Sequence, residues 1–192
     1  MKKSELILVV HALTQWNVER RPQGHIDVPL NEAGREMARL LAGREDLSQV
    51  SRVLCSDMCR AVQTAEPLAK RLGLPIEREI NLRERREANA QSTSEYALLP
   101  FPIENENESD FQHRVVRTLS GYAAETRGQL FVVSHWGAAM AFVDHVRSTT
   151  SEPRGFEARR AALNRFTFDG IAWKCIAWGD DRHLNAEGKF PQ

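Results

Sequence analysis

Short apolar runs alternate with helix-like segments along most of this sequence, and this alternation predicts an α/β fold. Apolar runs at residues 6–10, 52–55 and 130–134 are each followed by a segment with helical periodicity. Such alternation predicts a mostly parallel sheet with helices on both faces. The dipeptide Asp169-Gly170 separates two further apolar runs, which is the pattern of a β-hairpin. We therefore predict a three-layer α/β/α sandwich in which an antiparallel hairpin forms one edge of the sheet.

The length and charge of the chain limit its organisation and partners. Its 192 residues fit one domain spanning residues 1–192, because two α/β domains would each be small. Lys plus Arg equals Asp plus Glu at 26 each, so no general basicity would attract nucleic acid. No apolar run is long enough to span a membrane, and the run after Met1 is too short for a secretory signal. We expect a cytoplasmic protein, either monomer or homodimer.

The cysteines and histidines do not form a metal-binding pattern. The three cysteines are an odd, low count, which argues against a disulfide framework. Cys55 and Cys59 are more simply explained as small buried residues than as a metal pair. The six histidines are scattered, with no HExxH motif and no CxxC motif nearby. We expect neither a metal nor a cofactor.

The first half of the chain contains three predicted strands and two predicted helices. The strand at residues 6–10 leads into a long loop, residues 12–30, whose length and donors favour an ordered active-site loop. Asn31 is placed to cap the next helix. Ser56 is predicted to cap the helix that follows the second strand, and Gly73 to end it. A weaker third strand is predicted at residues 76–80.

The second half begins with a highly charged stretch, residues 82–94, which we interpret as a solvated helix face. A proline-containing acidic loop follows. The periodicity then predicts helices and strands, in order a helix at 109–126, a strand at 130–134, a helix at 137–146, and hairpin strands at 166–168 and 171–177.

Three of the predicted strands are followed directly by side chains that can bind or react with a ligand. The first ends in His11, the second in Ser56 with Arg60 one helical turn later, and the fourth in His135. The carboxyl ends of parallel strands open onto one crevice, where α/β proteins bind ligands. Arginine and helix amino termini both suit phosphate oxygens, and histidine can act as a nucleophile. The combination indicates an anionic, and preferably a phosphorylated, small molecule.

Six short stretches, in order along the chain, resemble the histidine phosphatase superfamily, the phosphoglycerate-mutase-like proteins. The similarity covers nearly the whole length. Residues 11–17 resemble RHGxTxWN, 21–30 resemble RxQGHxDxPL, 56–65 resemble SDLxRAxQTA, 82–84 resemble LRE, 108–109 resemble GES, and 133–135 resemble VSH. The resemblance implies a phosphoglycerate-mutase-like fold and phosphoryl chemistry without a metal.

The resemblance also implies a role for each matching residue. His11 would be the nucleophile that becomes phosphohistidine, and His135 would stabilise charge on the transferring group. Glu84 would protonate the leaving oxygen as a general acid. Three residues would bind the phosphate or the rest of the substrate, namely Asn17, Arg21 and Arg60.

The first motif departs from the family pattern. Val10 and Ala12 replace the arginine and the glycine of Arg-His-Gly, so the first phosphate-binding arginine is missing. Loss of one such donor lowers a rate by about 10²–10³-fold. Ala12 adds a methyl group that we expect near the phosphate. Trp136 replaces a small residue, and its indole would either support a substrate ring or cap the core. Five arginines are candidates to compensate, namely Arg20, Arg21, Arg83, Arg85 and Arg86.

These observations leave three functional hypotheses. The first is a phosphoric monoester hydrolase that acts through a phosphohistidine on His11, at a full or a reduced rate. The segment from Glu84 to Arg114 is short, which resembles the small phosphatases of the superfamily rather than the mutases with their longer insertions. The second is a pseudo-phosphatase that binds an anionic ligand without turnover, which Val10 and Ala12 motivate. The third is a pocket recruited to acid/base chemistry on an organic substrate.

Overall fold

One mixed sheet of six strands organises the molecule. The computed structural model describes residues 4–86, 92–93, 95–100, 106–149 and 158–185. The strands are β1 (Ser4–Val10), β2 (Val50–Cys55), β3 (Ile76–Arg78), β4 (Gln129–Ser134), β5 (Leu163–Phe168) and β6 (Trp173–Asp180). Their order across the sheet is β3-β2-β4-β1-β5-β6. The first four are mutually parallel, whereas β5 runs antiparallel to β1 and β6 antiparallel to β5.

Helices cover both faces of this sheet, so the predicted sandwich and its antiparallel edge are confirmed. The helices are α1 (Gln15–Val18), α2 (Glu32–Ala42), α3 (Cys59–Leu72), α4 (Glu108–Glu125), α5 (Trp136–Thr149) and α6 (Arg182–Asn185). Two short 3₁₀ helices occupy Glu45–Leu47 and Ile80–Leu82. None of the helices in the described ranges combines the length and apolar character that crossing a membrane requires.

The alternation of side chains along β1 separates two apolar cores. Ile7 and Val9 pack with α2 and α3 on one face of the sheet. Leu6, Leu8 and Val10 pack with α4 and α5 on the other face. Successive residues of a strand point to opposite faces, so an unbroken apolar run is required where both faces are covered. This explains why the first strand reads as a continuous apolar segment.

Two predicted helix boundaries are confirmed and one is corrected. The Asn31 side chain accepts a hydrogen bond of 2.8 Å from the Gly34 amide and caps α2. Gly73 ends α3 with a φ of +67°, a conformation that favours glycine. Ser56 does not cap α3, because the helix begins at Cys59. The Cys59 amide instead donates to the Asp27 carboxylate at 2.7 Å, so a residue of the long loop after β1 caps this helix.

Three further predictions need revision. The third strand ends at Arg78, and the chain continues as a 3₁₀ turn. The long loop after β1 contains α1, which Thr14 and Asn17 cap reciprocally. The charged stretch is not a solvated helix face at its beginning, since the Arg83 side chain is buried and pairs with Asp57 at 2.6 Å. The rest of that stretch, residues 87–91 and 94, lies outside the described residues.

Candidate active site

A cavity of about 400 Å³ lies where β1, β2 and β4 end. These strands are neighbours in the sheet, and backbone hydrogen bonds hold their ends level. The His11 amide donates to the Ser134 carbonyl, and the Ser56 amide donates to the Val133 carbonyl, each at 2.9 Å. All six residues singled out from the sequence line this cavity, namely His11, Asn17, Arg21, Arg60, Glu84 and His135.

His11 is held in one orientation by its own loop. Its Nδ1 lies 2.8 Å from the Ala12 carbonyl oxygen, which can only accept a hydrogen bond. The neutral ring therefore carries its proton on Nδ1, and Nε2 has a lone pair available. Burial, followed by the charges of Arg60 and Arg160, lowers the pKa of His11 well below its ordinary value. His11 is thus a neutral, oriented nitrogen base at neutral pH.

His135 packs against His11 and is equally buried. The two ring centroids are 5.3 Å apart in an edge-on arrangement. The Nε2 atom of His135 lies 2.9 Å from the Ser56 hydroxyl oxygen. Its Nδ1 is buried and has no hydrogen-bond partner among the described residues. Burial, then the charge of Arg60, holds the pKa of His135 well below its ordinary value. Ser56 therefore orients this ring instead of capping a helix.

Arg60 projects from the first turn of α3 and is 1% exposed. Its two terminal nitrogens donate to the Ile26 and Gly24 carbonyl oxygens, each at 2.8 Å. Burial lowers the pKa of Arg60 to about 10, so the guanidinium stays charged at neutral pH. Its Nε is buried without a hydrogen-bond partner in the described part of the chain. The long loop after β1 thus fixes this cation beside the two imidazoles.

Glu84 is positioned by the amino terminus of α5. One carboxylate oxygen accepts from the Gly137 amide at 2.7 Å, and the other accepts from the Arg85 amide at 2.9 Å. The imidazole of His25 lies 2.8 Å from the Glu84 carbonyl oxygen and steadies the backbone. A Cβ atom on Gly137 would overlap Glu84 Oε1 and lie 2.9 Å from the carboxyl carbon. Glycine at position 137 is therefore what allows the carboxylate this close to the helix.

Asn17 and Arg21 lie at the side of the cavity formed by the loop after β1. The Asn17 side-chain oxygen accepts from the Thr14 amide and hydroxyl, at 3.1 and 3.0 Å. Its NH₂ group is the part left to donate to a ligand. Arg21 stacks over the Trp16 ring at 3.8 Å and pairs with Glu19 at 3.2 Å, with about two fifths of each charged side chain exposed. Arg21 is thus a cation at the cavity rim.

The cavity is also lined by an arginine that the sequence analysis did not identify. Arg160 is half-buried beside β1 and forms an isolated β-bridge with Val10. Burial lowers the pKa of its guanidinium, and Glu84 opposes this. The segment that carries Arg160 belongs to none of the predicted elements, which is why sequence reasoning missed it.

The family assignment follows from a match over nearly the whole chain. The model of the histidine phosphatase superfamily (branch 1) matches residues 6–181. This chain belongs to that superfamily. Phosphoglycerate mutase-like protein 4 of Arabidopsis thaliana is 30% identical, with 96% of this chain and 89% of the relative covered.

Several solved structures share the fold. A phosphoglycerate mutase from Bacillus anthracis superposes with a TM-score of 0.76 at 22% identity, covering 95% of this chain and 96% of the other. A mycobacterial glucosyl-3-phosphoglycerate phosphatase in complex with VO₃ superposes with a TM-score of 0.74 at 20% identity, covering 92% and 98%. At these identities the likeness concerns the fold alone.

In this member of the histidine phosphatase superfamily, the substitutions in the first motif are accommodated by packing. Val10 is fully buried in the core against α4 and α5. The Ala12 methyl group packs in the opposite core, against α2 and α3, and not near the cavity as expected. Ala12 also has no positive φ, so glycine is not required there. The two substitutions are therefore compatible with a well-packed β1.

The five arginines that could compensate for the arginine missing at position 10 differ in whether they line the cavity. Arg83 is committed to Asp57 and to the Pro100 carbonyl oxygen. Arg21 and Arg85 line the cavity, and Arg85 pairs with Glu108 at 2.5 Å. Arg20 and Arg86 are exposed and do not line it. Among the described arginines, the cavity is lined by Arg21, Arg60, Arg85 and Arg160.

Trp136 lies at the cavity mouth and is 52% exposed, so it does not cap the core. Its neighbours on the cavity wall include Phe111 and Met140, which give this side an apolar character. In the described part of the chain, no group of three or more His, Cys, Asp or Glu side chains is placed to hold a metal ion.

Proposed function

We propose that this protein is a phosphatase that hydrolyses a small phosphomonoester through a phosphohistidine on His11. The observation that carries the proposal is the state of His11. Its Nδ1 is engaged by the Ala12 carbonyl, its lowered pKa keeps it neutral, and it lines a cavity shared with Arg60, Glu84 and His135. A neutral imidazole with a fixed tautomer suits nucleophilic attack.

The proposed reaction has two steps. In the first, the Nε2 lone pair of His11 bonds to phosphorus, and the phosphorus–oxygen bond to the alcohol breaks. The leaving oxygen takes a proton from the Glu84 carboxyl. In the second, water attacks the phosphohistidine and gives its proton to the Glu84 carboxylate. The phosphorus–nitrogen bond then breaks, which releases phosphate and restores neutral His11.

Buried donors would stabilise the transferring group. Nε of Arg60 and Nδ1 of His135 have no hydrogen-bond partner among the described residues, and a phosphoryl oxygen would accept a hydrogen bond from each. Because Ser56 can donate to Nε2 of His135, the ring can carry its proton on Nδ1 and present a donor there. Such preorganised donors in a water-poor site typically contribute 10²–10³-fold each to a rate.

The names of the relatives direct the choice of substrates. The Arabidopsis relative is named for phosphoglycerate mutase, and the mycobacterial neighbour acts on a phosphoglycerate derivative. Phosphoglycerates and their glycosides are therefore the first natural esters to assay, beside an aryl phosphate as a general substrate. Exposed Trp136 provides a surface on which the organic part of a substrate can stack.

The test compares wild type with His11→Ala on p-nitrophenyl phosphate. His113→Ala is the matched control, because His113 is exposed and does not line the cavity. We expect turnover to fall by more than 10³-fold in His11→Ala and to persist in the control. An acid-labile phosphoryl adduct should form in wild type and in the control but not in His11→Ala. Equal turnover in wild type and His11→Ala would refute the proposal.

One observation favours a second function, anion binding without turnover. Both terminal nitrogens of Arg60 already donate to backbone carbonyls, and position 10 contributes no cation. A pseudo-phosphatase with this cavity would be stabilised against heat by inorganic phosphate or phosphate esters, yet would not hydrolyse them. The same substrate panel, read by thermal unfolding, separates the two functions.

A further inference from the structure

The cavity lies on the sheet face toward which position 10 points. Residues of α4 and α5 form one cavity wall, and Val10 packs in the core that these helices share with β1. An arginine in β1 at this position would direct its side chain to that face. The apolar Val10 side chain leaves the face without a cation from β1.

The segment next to β1 brings an arginine to the same level. Beyond the pairing of Ser4–Leu8 with β5, the chain before β5 stays beside β1, and the Ala161 amide donates to the Val10 carbonyl at 2.8 Å. Arg160 forms the β-bridge with Val10 and lines the cavity. Neighbouring strands are about 4.8 Å apart, a distance that an arginine side chain spans easily. Arg160 therefore enters the cavity from the position adjacent to Val10.

The backbone at this point is strained in a way that fixes Arg160. Ala161 has a φ of +54°. Alanine in the left-handed region is unfavourable by about 1–3 kcal/mol and persists only when the surrounding structure demands it. The hydrogen bond to Val10 and the start of β5 two residues later supply that demand. The strained turn sets the register at which Arg160 faces the cavity.

The guanidinium of Arg160 is uncommitted. In the described part of the chain it makes no side-chain hydrogen bond and no ion pair, whereas the adjacent Arg159 pairs with Asp181 at 3.0 Å. The charge of Arg160 acts on His11, and Glu84 acts on Arg160. A half-buried guanidinium that makes no hydrogen bond and no ion pair with the described residues is stabilised further when an anion binds directly beside it.

We propose that Arg160 is the second phosphoryl-binding guanidinium of the site and takes the place of the arginine missing at position 10. The inference rests on the proposed function for its setting. The ligand class is a phosphoryl oxyanion, either free phosphate or the phosphoryl group of an ester. Arg60 and Arg160 together would place two guanidinium groups beside the two neutral imidazoles, and their two positive charges match one dianionic phosphoryl group.

The test measures phosphate binding separately from turnover. Arg160→Met, Arg160→Lys and the control Arg159→Met are compared with wild type for affinity toward inorganic phosphate and vanadate by calorimetry, and for kcat/KM on p-nitrophenyl phosphate. We expect Arg160→Met to weaken phosphate binding at least 10-fold and to lower kcat/KM by 10²–10³-fold. Arg160→Lys should be intermediate, since it keeps the charge and loses the planar fork. Arg159→Met should resemble wild type.

The outcomes separate this inference from the function on which it rests. If turnover depends on His11 but Arg160→Met binds phosphate and turns over like wild type, the inference is overturned and the phosphatase stands. If phosphate binding depends on Arg160 but wild type has no His11-dependent turnover, the inference stands and the phosphatase is refuted. If wild type binds neither phosphate nor vanadate, both are overturned. Thermal unfolding confirms that each variant is folded.

Discussion

A single methyl group added to Gly137 should separate the activity of this protein from its stability. Gly137 is the second residue of α5, and its amide holds a Glu84 oxygen at 2.7 Å. A Cβ atom there would overlap Oε1 and lie 2.9 Å from the carboxyl carbon. The backbone of a helix amino terminus is fixed by its hydrogen bonds. In Gly137→Ala the Glu84 side chain must therefore move, by about 1 Å or more, to restore ordinary van der Waals separation.

The size of the effect follows from two opposing terms. A displacement of about 1 Å at a reacting group lowers a rate by roughly 10²-fold. Alanine in place of glycine stabilises a helix by about 1 kcal/mol, whereas a lost hydrogen bond to a charged group destabilises by about 1.5–3 kcal/mol. The free energy of unfolding should therefore fall by about 0.5–2 kcal/mol, and no further because the half-buried carboxylate regains water. We expect kcat/KM to fall about 10²-fold while Tm falls by no more than about 8 °C.

The assay is kcat/KM on p-nitrophenyl phosphate together with thermal unfolding of the same samples. Gly121→Ala is the matched control, since Gly121 is also helical and its Cβ would meet no atom within 4 Å. It should gain up to about 1 kcal/mol of stability and keep wild-type activity. Glu84→Gln provides the reference for loss of the acid. Wild-type kcat/KM in Gly137→Ala, with Glu84→Gln strongly impaired, would show that the position of Glu84 does not matter.

Two further predictions concern stability. Burial lowers the pKa of His11, His135 and His183, the last to about 4, so below pH 6.5 the unfolded chain takes up protons that the folded protein does not. The stabilisation from these neutral histidines should be fully present above pH 6.5. Below that pH the free energy of unfolding should fall by up to about 4 kcal/mol per pH unit for the three groups together. Urea unfolding at pH 7.5 and pH 5 measures this, and equal midpoints would contradict the burial argument. The second prediction is that Gly34→Ala lowers the free energy of unfolding by about 1–3 kcal/mol, because the added Cβ atom would overlap the Leu13 carbonyl oxygen. Gly121→Ala is the reference variant. An unchanged urea midpoint in Gly34→Ala would exclude that contact.

The parts of the fold that were predictable are those encoded by local pattern. The apolar run of β1 is required by cores on both faces, and the Asp169-Gly170 turn dictates the hairpin of β5 and β6. Arg83 shows where local pattern fails. Its charge suggests solvent, but the three-dimensional structure supplies Asp57, 26 positions earlier, as a partner. Charge pairing between distant segments leaves no periodic trace in the sequence.

The same distinction applies to the candidate site. His11, Arg60 and His135 could be located because each follows a recognisable strand, and parallel strands bring their carboxyl ends together. Ser56 was assigned to a helix cap, whereas its hydroxyl contacts His135. Arg160 could not be placed, because the hairpin strand was predicted to start at residue 166, and β5 begins at Leu163. Even an extended antiparallel register would place residue 162 beside position 10, whereas the Val10–Arg160 bridge is parallel and depends on the turn at Ala161.

The proposed supply of the second cation by Arg160, which is distant in sequence, instead of by residue 10 has a physical reason. A phosphoryl group requires positive charge at one position in the cavity. A side chain can reach that position either from the strand β1 itself or from the chain segment that lies next to β1. A buried arginine at position 10 would take the place of an apolar side chain in the core against α4 and α5, with a desolvation penalty. Arg160 is only half-buried and reaches the cavity from the edge of β1, so the penalty is smaller. The strained Ala161 turn is then the structural cost of this placement, as the proposal that Arg160 is held in position for a ligand requires.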